Sequence, residues 1–450
     1  MDVPTDHLLP VIPEIPVPPD THAFVRFGHQ YEPYEYTGWL DESMSWKDTC
    51  YIGTWSPLQK VRLQGPDAVE FMSTLAGNGF STFAVGQGKH VALCNPRGRV
   101  LGDGVLMRLA EDELICTVGR NATAWIEWNL ARSRYKVTTS DVTSDRFIFQ
   151  VSGPASLAVL EEATGQSFRD IEFMRFAPRE IDGMEFLALR QGMAGEIGYE
   201  LHGRTEDGIA IWNRILEVGA AHGIRRLGGR TKMVNHVEAC FPTPSVDYQP
   251  AWFDDEIKDF ADHAAADVAR LSNFFWRHRG SYVTEDVRDY FYSPVDLGWG
   301  RVIKFDHEFV GREALEREVA EPRRKMVTLV WNHEDVLDVH ASLHRDGPAY
   351  QYMEMPRNGL GCMWADRVEK DGELVGITTS RCHSYFFRQT ISLCPIDPAV
   401  AEPGTEVEVV WGEPDHPQKR IRATVARAPY KTDRRRADLA ALPAQPPTGA

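Results

Sequence analysis

The stretch GMAGEIGYELHG, Gly192 to Gly203, sets four glycines around two glutamates and a tyrosine. Gly195 and Gly198 allow a tight turn ahead of a strand beginning near Tyr199. A strand start is a place where an acidic side chain meets a ligand without burying an unpaired charge. Along that strand Glu200 and Leu201 alternate between a ligand side and a core side. A carboxylate there suits an amidine-like edge, two N–H donors side by side, of the kind a pterin or guanine carries. The same spacing also fits a turn ending in a solvated glutamate. Other chemistry is missing: the chain has no G-x-x-x-x-G-K-[ST], H-E-x-x-H, G-x-S-x-G or strand-borne G-x-G-x-x-G. His340 and His344 stand at helical spacing with no third ligand nearby, which reads as a surface or core pair, and no metal is expected.

The elements that must position Glu200 show an internal echo. VRLQGPDAVEFMSTLAG (Val61 to Gly77) and FIFQVSGPASLAVLEEATG (Phe147 to Gly165) each begin with strand-like alternation, turn at Gly-Pro and run into an amphipathic helix. Pro66 and Pro154 are expected in the first helical turn, where a missing N–H costs nothing. Two similar α+β units are implied. Further helices are expected at Ala122 to Arg132 and Asp207 to Gly223, the latter with Ile209, Trp212, Ile215 and Leu216 on one face and Gly223 as C-cap. Between Trp252 and Tyr292 the reading is mostly helix. From about Glu321 the runs RKMVTLVW, GELVGITTS, TISLCPID, GTEVEVVWG and KRIRATVARAPY read as strands of a small all-β domain. The expected divisions are a Pro-rich arm at 1–38, the paired α+β region at 39–320, a β-barrel at 321–430 and a solvated tail at 431–450.

Whole-chain properties set outer limits. The 450 residues suffice for roughly three domains. With 49 Lys and Arg against 65 Asp and Glu the formal charge is −16, which disfavours nucleic acid and anionic membrane surfaces as partners. Seven scattered cysteines without a CxxC pair read as reduced thiols. The proline-broken N-terminus has no signal-peptide pattern, and no run approaches the ~20 apolar residues of a membrane span. A soluble, cytoplasmic protein is expected.

Taken together, NPRGRVLGDGVLMRL, FQVSGP, GMAGEIGYELHG and DLGWGRVIKFDHEFVGREAL resemble the folate-binding aminomethyltransferase family, the T-protein of glycine cleavage. The resemblance runs from about Trp39 to Tyr430. It is closer still to the tetrahydrofolate-dependent aryl O-demethylase branch, which acts on vanillate, 3-O-methylgallate and syringate. The family fold is an α+β, three-domain cloverleaf, two folate-binding units plus a C-terminal β-barrel, and the resemblance implies it here. It also implies tetrahydrofolate as cofactor. Glu200 matches the glutamate that pairs with the pterin, Arg120 and Val118 match a wall near the folate, Gln150 a pterin-contacting glutamine and Phe241 an aromatic that packs on the cofactor. Against these stand a surface ion pair for Arg120, a strand-edge amide for Gln150 and plain core for Phe241.

The departures bear on the reaction. The paired aspartates of the T-protein become Gly102 and Asp103, and the missing carboxylate is one associated there with catalysis, so no lipoyl carrier is expected. Lys232 stands where a substrate-side tyrosine is found in the demethylases, and Leu58 where close relatives carry histidine. The resemblance thus implies transfer of a methyl from a methoxy-aromatic of lignin-derived type to tetrahydrofolate, leaving a phenol. Alternatives are another one-carbon unit, from an S-methyl or N-methyl donor or by formaldehyde-releasing C–C cleavage, and a non-catalytic folate-binding protein. A departing phenoxide, whose acid has a pKa of about 10 by analogy with tyrosine, calls for a general acid. The candidates are Tyr31, Lys232 and His236; Lys232 could donate a proton when near neutral or, while charged, stabilise the phenoxide electrostatically, and the plain readings of the first two are an aromatic packed under the arm and a surface lysine.

Overall fold

The computed structural model describes residues 10–264, 278–359 and 363–442. Its two echoing segments lie on two separate sheets. The first is antiparallel, in the order Gln87–Cys94, Val100–Ala110, Glu113–Val118, Gln59–Gln64, Thr138–Asp141. The second runs Phe176–Ile181, Met184–Arg190, Gly198–Arg204, Arg146–Ser152, Tyr51–Thr54, Arg225–Arg226. Each Gly-Pro turn leads to a helix, Ala68–Ser73 on the first sheet and Ser156–Thr164 on the second. Both prolines lie two residues ahead of the helix, in the turn itself rather than in the first helical turn. The units are interleaved: Tyr51–Thr54 belongs to the second sheet and Gln59–Gln64 to the first. The residues between them, Trp55 to Leu58, cross from one unit to the other.

The C-terminal strands close into a six-stranded barrel, Lys325–Trp331, Gln389–Ile396, Glu373–Ser384, Asp366–Lys370, Glu406–Trp411 and Lys419–Ala426. All five predicted strand runs are in it. The fold is the expected α+β arrangement with a terminal barrel. Among the described residues no helix is long and apolar enough to cross a membrane.

Several expectations change. The predicted helix at Asp207 to Gly223 is α-helical over Gly208–Gly219, flanked by short 3-10 turns, and ends at Gly223 in the left-handed conformation. Ile211, fully buried, takes the core position expected of Ile209, which is 46% exposed. Between Trp252 and Tyr292 the chain is helical at 258–264, with short 3-10 turns at Asp255–Ile257 and Val287–Tyr290, and residues 265–277 lie outside the described residues. The basic segment after Tyr430 is not a solvated tail as far as 442. Leu439 is buried in the core of the second unit. Arg190 donates to the carbonyls of Arg435 and Ala437, and Arg169 to those of Leu439 and Leu442. Solvation is the ordinary expectation for a chain terminus, but here the tail's carbonyls accept from Arg169 and Arg190, and Lys431 reaches the distant Glu196 carboxylate.

The N-terminal arm is equally engaged. Ile12 and Ile15 are buried in the second unit's core, and the hairpin Phe24–Phe27 with Gln30–Pro33 lies on the helix Gly229–Ala239. Gly229 makes this approach possible, since a Cβ there would come within 2.3 Å of Val25 and 2.8 Å of the Glu32 carboxylate.

Candidate active site

Glu200 is buried on the strand Gly198–Arg204, directly across from Gln150 on Arg146–Ser152. The turn feeding that strand needs Gly195, whose φ is +66°. Leu201 points the other way into core, as strand alternation demands. One Glu200 oxygen accepts from Gln191 Nε2 at 3.1 Å, and the other lies 3.3 Å from His202 Nε2. Gln150 Oε1 accepts from the Tyr51 hydroxyl at 2.6 Å and from the Met193 amide at 3.1 Å. Asn235 donates to the same Tyr51 oxygen at 3.4 Å, while its own Oδ1 is buried without a partner among the described residues. The result is a wall rich in acceptors: a carboxylate, amide oxygens and one unmet lone pair.

The other glutamate of the stretch, Glu196, has a different task. Its carboxylate takes a 2.5 Å hydrogen bond from Lys431 Nζ, both side chains being buried, and Arg434 stands 3.8 Å away. The Arg434 amide donates to the Gly195 carbonyl at 2.9 Å. The segment after the barrel therefore anchors the glycine-rich turn. Replacing Lys431 with methionine removes a charge-assisted bond to a buried carboxylate and is expected to cost about 2 kcal/mol. Denaturant unfolding of Lys431→Met against the parent measures it, and an unchanged midpoint would mean that the turn holds itself.

The helix Gly229–Ala239 joins this wall to a second one. Lys232, Asn235 and His236 fall at spacings of three and four and share a face. Lys232 is buried and donates to both oxygens of Glu32 at 3.0 and 2.7 Å and to the Thr54 carbonyl at 2.6 Å. Its ammonium also lies over the rings of Phe27 and Trp55, at 4.5 and 4.6 Å. Burial pushes the lysine pKa down, and Glu32 opposes this. Because an ammonium has three protons and all find acceptors inside the protein, Lys232 is not the surface lysine that composition allowed. Lys232 has no spare proton aimed at a ligand.

His236 stacks on Trp55 with ring centroids 6.5 Å apart and planes at 20°. Burial first, then the charges of Lys232 and Arg357, lower its pKa to about 3. At neutral pH it is therefore an uncharged imidazole, which corrects its expected role as a general acid. Tyr31 is not brought to this group. Its neighbour Glu32 faces Lys232, and strand alternation turns Tyr31 to the opposite face, paired across the hairpin with Arg26.

The remaining candidates lie on or beside elements other than the Glu200 strand. Val118 is buried in the core of the first unit, at the end of Glu113–Val118, and Arg120 opens the following helix on the exposed side. Phe241 follows the left-handed Cys240 at the end of the site helix, 6.0 Å from the His236 ring and under the Arg435 guanidinium at 4.8 Å. Asp103, the aspartate kept from the expected pair, accepts from the Tyr248 hydroxyl at 2.7 Å and lies 2.8 Å from His90 Nε2. Gly102 has a packing reason: a Cβ would meet that of Ala122 at 2.9 Å. Sequence reasoning missed Tyr51, Gln191, Asn235 and Glu32. Only Asn235 carried a signal, its helical spacing from Lys232.

Residues 21–254 match the GCVT N-terminal domain, and residues 355–431 match the glycine cleavage T-protein C-terminal barrel domain. The chain is 38% identical over 422 residues to the sesamin methylene transferase of Sinomonas sp. (strain No.22), covering 89% of this chain and 90% of that one. It is 34% identical over 421 residues to the syringate O-demethylase of Sphingobium sp. (strain NBRC 103272 / SYK-6), covering 88% and 89%. Among solved structures, the glycine cleavage system aminomethyltransferase T from Bartonella henselae superposes with a TM-score of 0.68 at 18% identity, covering 92% of this chain and 95% of that one.

Proposed function

The chain is an enzyme of the glycine cleavage T-protein family, and from that premise we propose that it is a tetrahydrofolate-dependent aryl O-demethylase, converting a methoxy-aromatic and tetrahydrofolate into a phenol and 5-methyltetrahydrofolate. One observation carries this reading. A single helix, Gly229–Ala239, joins a buried acceptor wall (Glu200, Gln150, Asn235) to an aromatic and cationic wall (Trp55, His236, Lys232). The first suits a heterocycle whose edge is rich in N–H donors, and the unmet Oδ1 of Asn235 gives such an edge one more acceptor. The second suits a benzene ring that leaves as an anion.

The cofactor fits the donors and acceptors present. Glu200 would pair with the pterin edge, held in place by Gln191 and His202, and Gln150 and Asn235 would flank it. When bound, tetrahydrofolate supplies N5 as the acceptor of the methyl group. The protein's own contribution on the substrate side is electrostatic. The buried Lys232 charge, fixed by Glu32 and Thr54, favours a phenoxide forming near Trp55 without giving up a proton. Asp103 is occupied by Tyr248 and His90, and position 102 is closed to a carboxylate by Ala122.

Two measurements test the class. Incubated anaerobically with tetrahydrofolate and a panel of methoxy-aromatics, the enzyme should release the corresponding phenol only when tetrahydrofolate is present. Presented with an aminomethyl-lipoyl carrier, it should produce neither ammonia nor methylenetetrahydrofolate, and robust turnover there would return it to glycine cleavage. A second reading, transfer of a methylene group, is favoured by the 38% identity to a sesamin methylene transferase. It also ends in phenoxide departure, and 5,10-methylenetetrahydrofolate in place of the 5-methyl product would identify it.

A further inference from the structure

One ring nitrogen of His236 is accounted for and the other is not. Nδ1 lies 3.2 Å from Oγ1 of Thr243, and that hydroxyl donates to the carbonyl of Phe241 at 3.3 Å. We assign the hydroxyl proton to that carbonyl, which only accepts, and Oγ1 then accepts from Nδ1–H. With the single proton of the neutral ring assigned to Nδ1, Nε2 presents a bare lone pair. Nε2 is buried with no hydrogen-bond partner among the described residues, in a residue only 8% exposed. Buried acceptors are seldom left unmet. The neighbours do not meet it: the Lys232 protons go to Glu32 and Thr54, and Trp55 and Phe241 offer ring surfaces.

Resting on the demethylase reading, we propose that Nε2 of His236 accepts a hydrogen bond from a free hydroxyl on the aromatic ring of the substrate, selecting methoxyphenols over rings whose oxygens are all etherified. The position supports a substrate rather than a pterin contact. Asn235 bonds to Tyr51 on the acceptor wall, whereas His236 is flanked by Trp55 and Phe241, the surfaces against which a benzene ring packs. An ether oxygen in place of the hydroxyl would set lone pair against lone pair and leave the imidazole nitrogen desolvated. Sites that hydrogen-bond a substrate hydroxyl reject analogues lacking it for this reason. The charges of Lys232 and Arg357 act in the same direction, since both disfavour an imidazolium and keep the ring an acceptor.

Guaiacol and veratrole differ only by methylation of that hydroxyl and test the proposal. The wild-type enzyme should prefer guaiacol in kcat/KM by about tenfold or more. In His236→Phe, which keeps a ring against Trp55, the ratio should fall to about one. In His236→Gln, whose amide oxygen still accepts, a preference of several-fold should survive. Circular dichroism of both variants establishes that they are folded. An unchanged ratio in His236→Phe, or no preference in the wild type, overturns the proposal. Should neither ether be demethylated, the demethylase reading falls, and calorimetric binding of the two rings still decides this inference. Tighter binding of guaiacol that disappears in His236→Phe upholds it, and equal binding of both rings to the wild type overturns it.

Discussion

Replacing Lys232 with methionine is expected to lower the stability of the protein by about 3–5 kcal/mol, because it strands the Glu32 carboxylate in the interior without its counter-ion. Both partners are about 5% exposed, so solvent does not rescue the orphaned charge. The pair also fastens the N-terminal hairpin to the site helix, and its loss should loosen residues 24–33 first. Urea unfolding of Lys232→Met gives the magnitude. The double replacement Glu32→Leu with Lys232→Met removes both charges and should recover most of the loss, since apolar substitutes for buried ion pairs are commonly neutral or better. Activity separates the two roles of the lysine. If its charge stabilises the departing phenoxide, the double variant regains stability while kcat stays low, and the deficit shrinks for rings with electron-withdrawing groups, whose phenoxides need less help. A double variant with parental kcat would make Lys232 purely structural.

The second large effect is on the cofactor. Glu200→Ala should weaken tetrahydrofolate binding about a hundredfold, roughly 3 kcal/mol, by removing two charge-assisted hydrogen bonds from a buried heterocycle edge. Gln191 and His202 lose their acceptor in the same step. Both are buried polar groups, so water taking the place of the carboxylate restores only part of the binding. Titration calorimetry at fixed ionic strength measures the change. Affinity equal to the parent would mean that the pterin is held elsewhere.

Much of this architecture was readable in the chain because the signals are local. The Gly-Pro turns between strand and helix, the alternation in KMVTLVW and EVEVVW, and the glycines ahead of Tyr199 all act over a few residues. Glu200 was legible for the same reason, since the turn and the strand start that present it are adjacent to it. What was not legible depends on distance along the chain. Glu32 and Lys232 are 200 residues apart and Glu196 and Lys431 are 235 apart, and nothing in composition distinguishes a buried charged side chain from a solvated one before its partner is known. The basic tail reads as solvated on that account, and Lys232 reads as an acid, an electrostatic stabiliser or a surface residue. Tyr31 is a candidate through the family resemblance alone, and only the register of the hairpin shows that its neighbour Glu32 is the residue facing Lys232.

The central claim is that a methyl group leaves an aryl ether for N5 of tetrahydrofolate on this protein. A methoxy-aromatic labelled with carbon-13 in the methyl group, incubated anaerobically with the enzyme and unlabelled tetrahydrofolate, tests it most directly by mass spectrometry of the folate. The predicted result is 5-methyltetrahydrofolate carrying the label in equal amount to the phenol released, with both products abolished when either tetrahydrofolate or the enzyme is left out. Phenol release with the label appearing as formaldehyde, or formed without tetrahydrofolate, would contradict it.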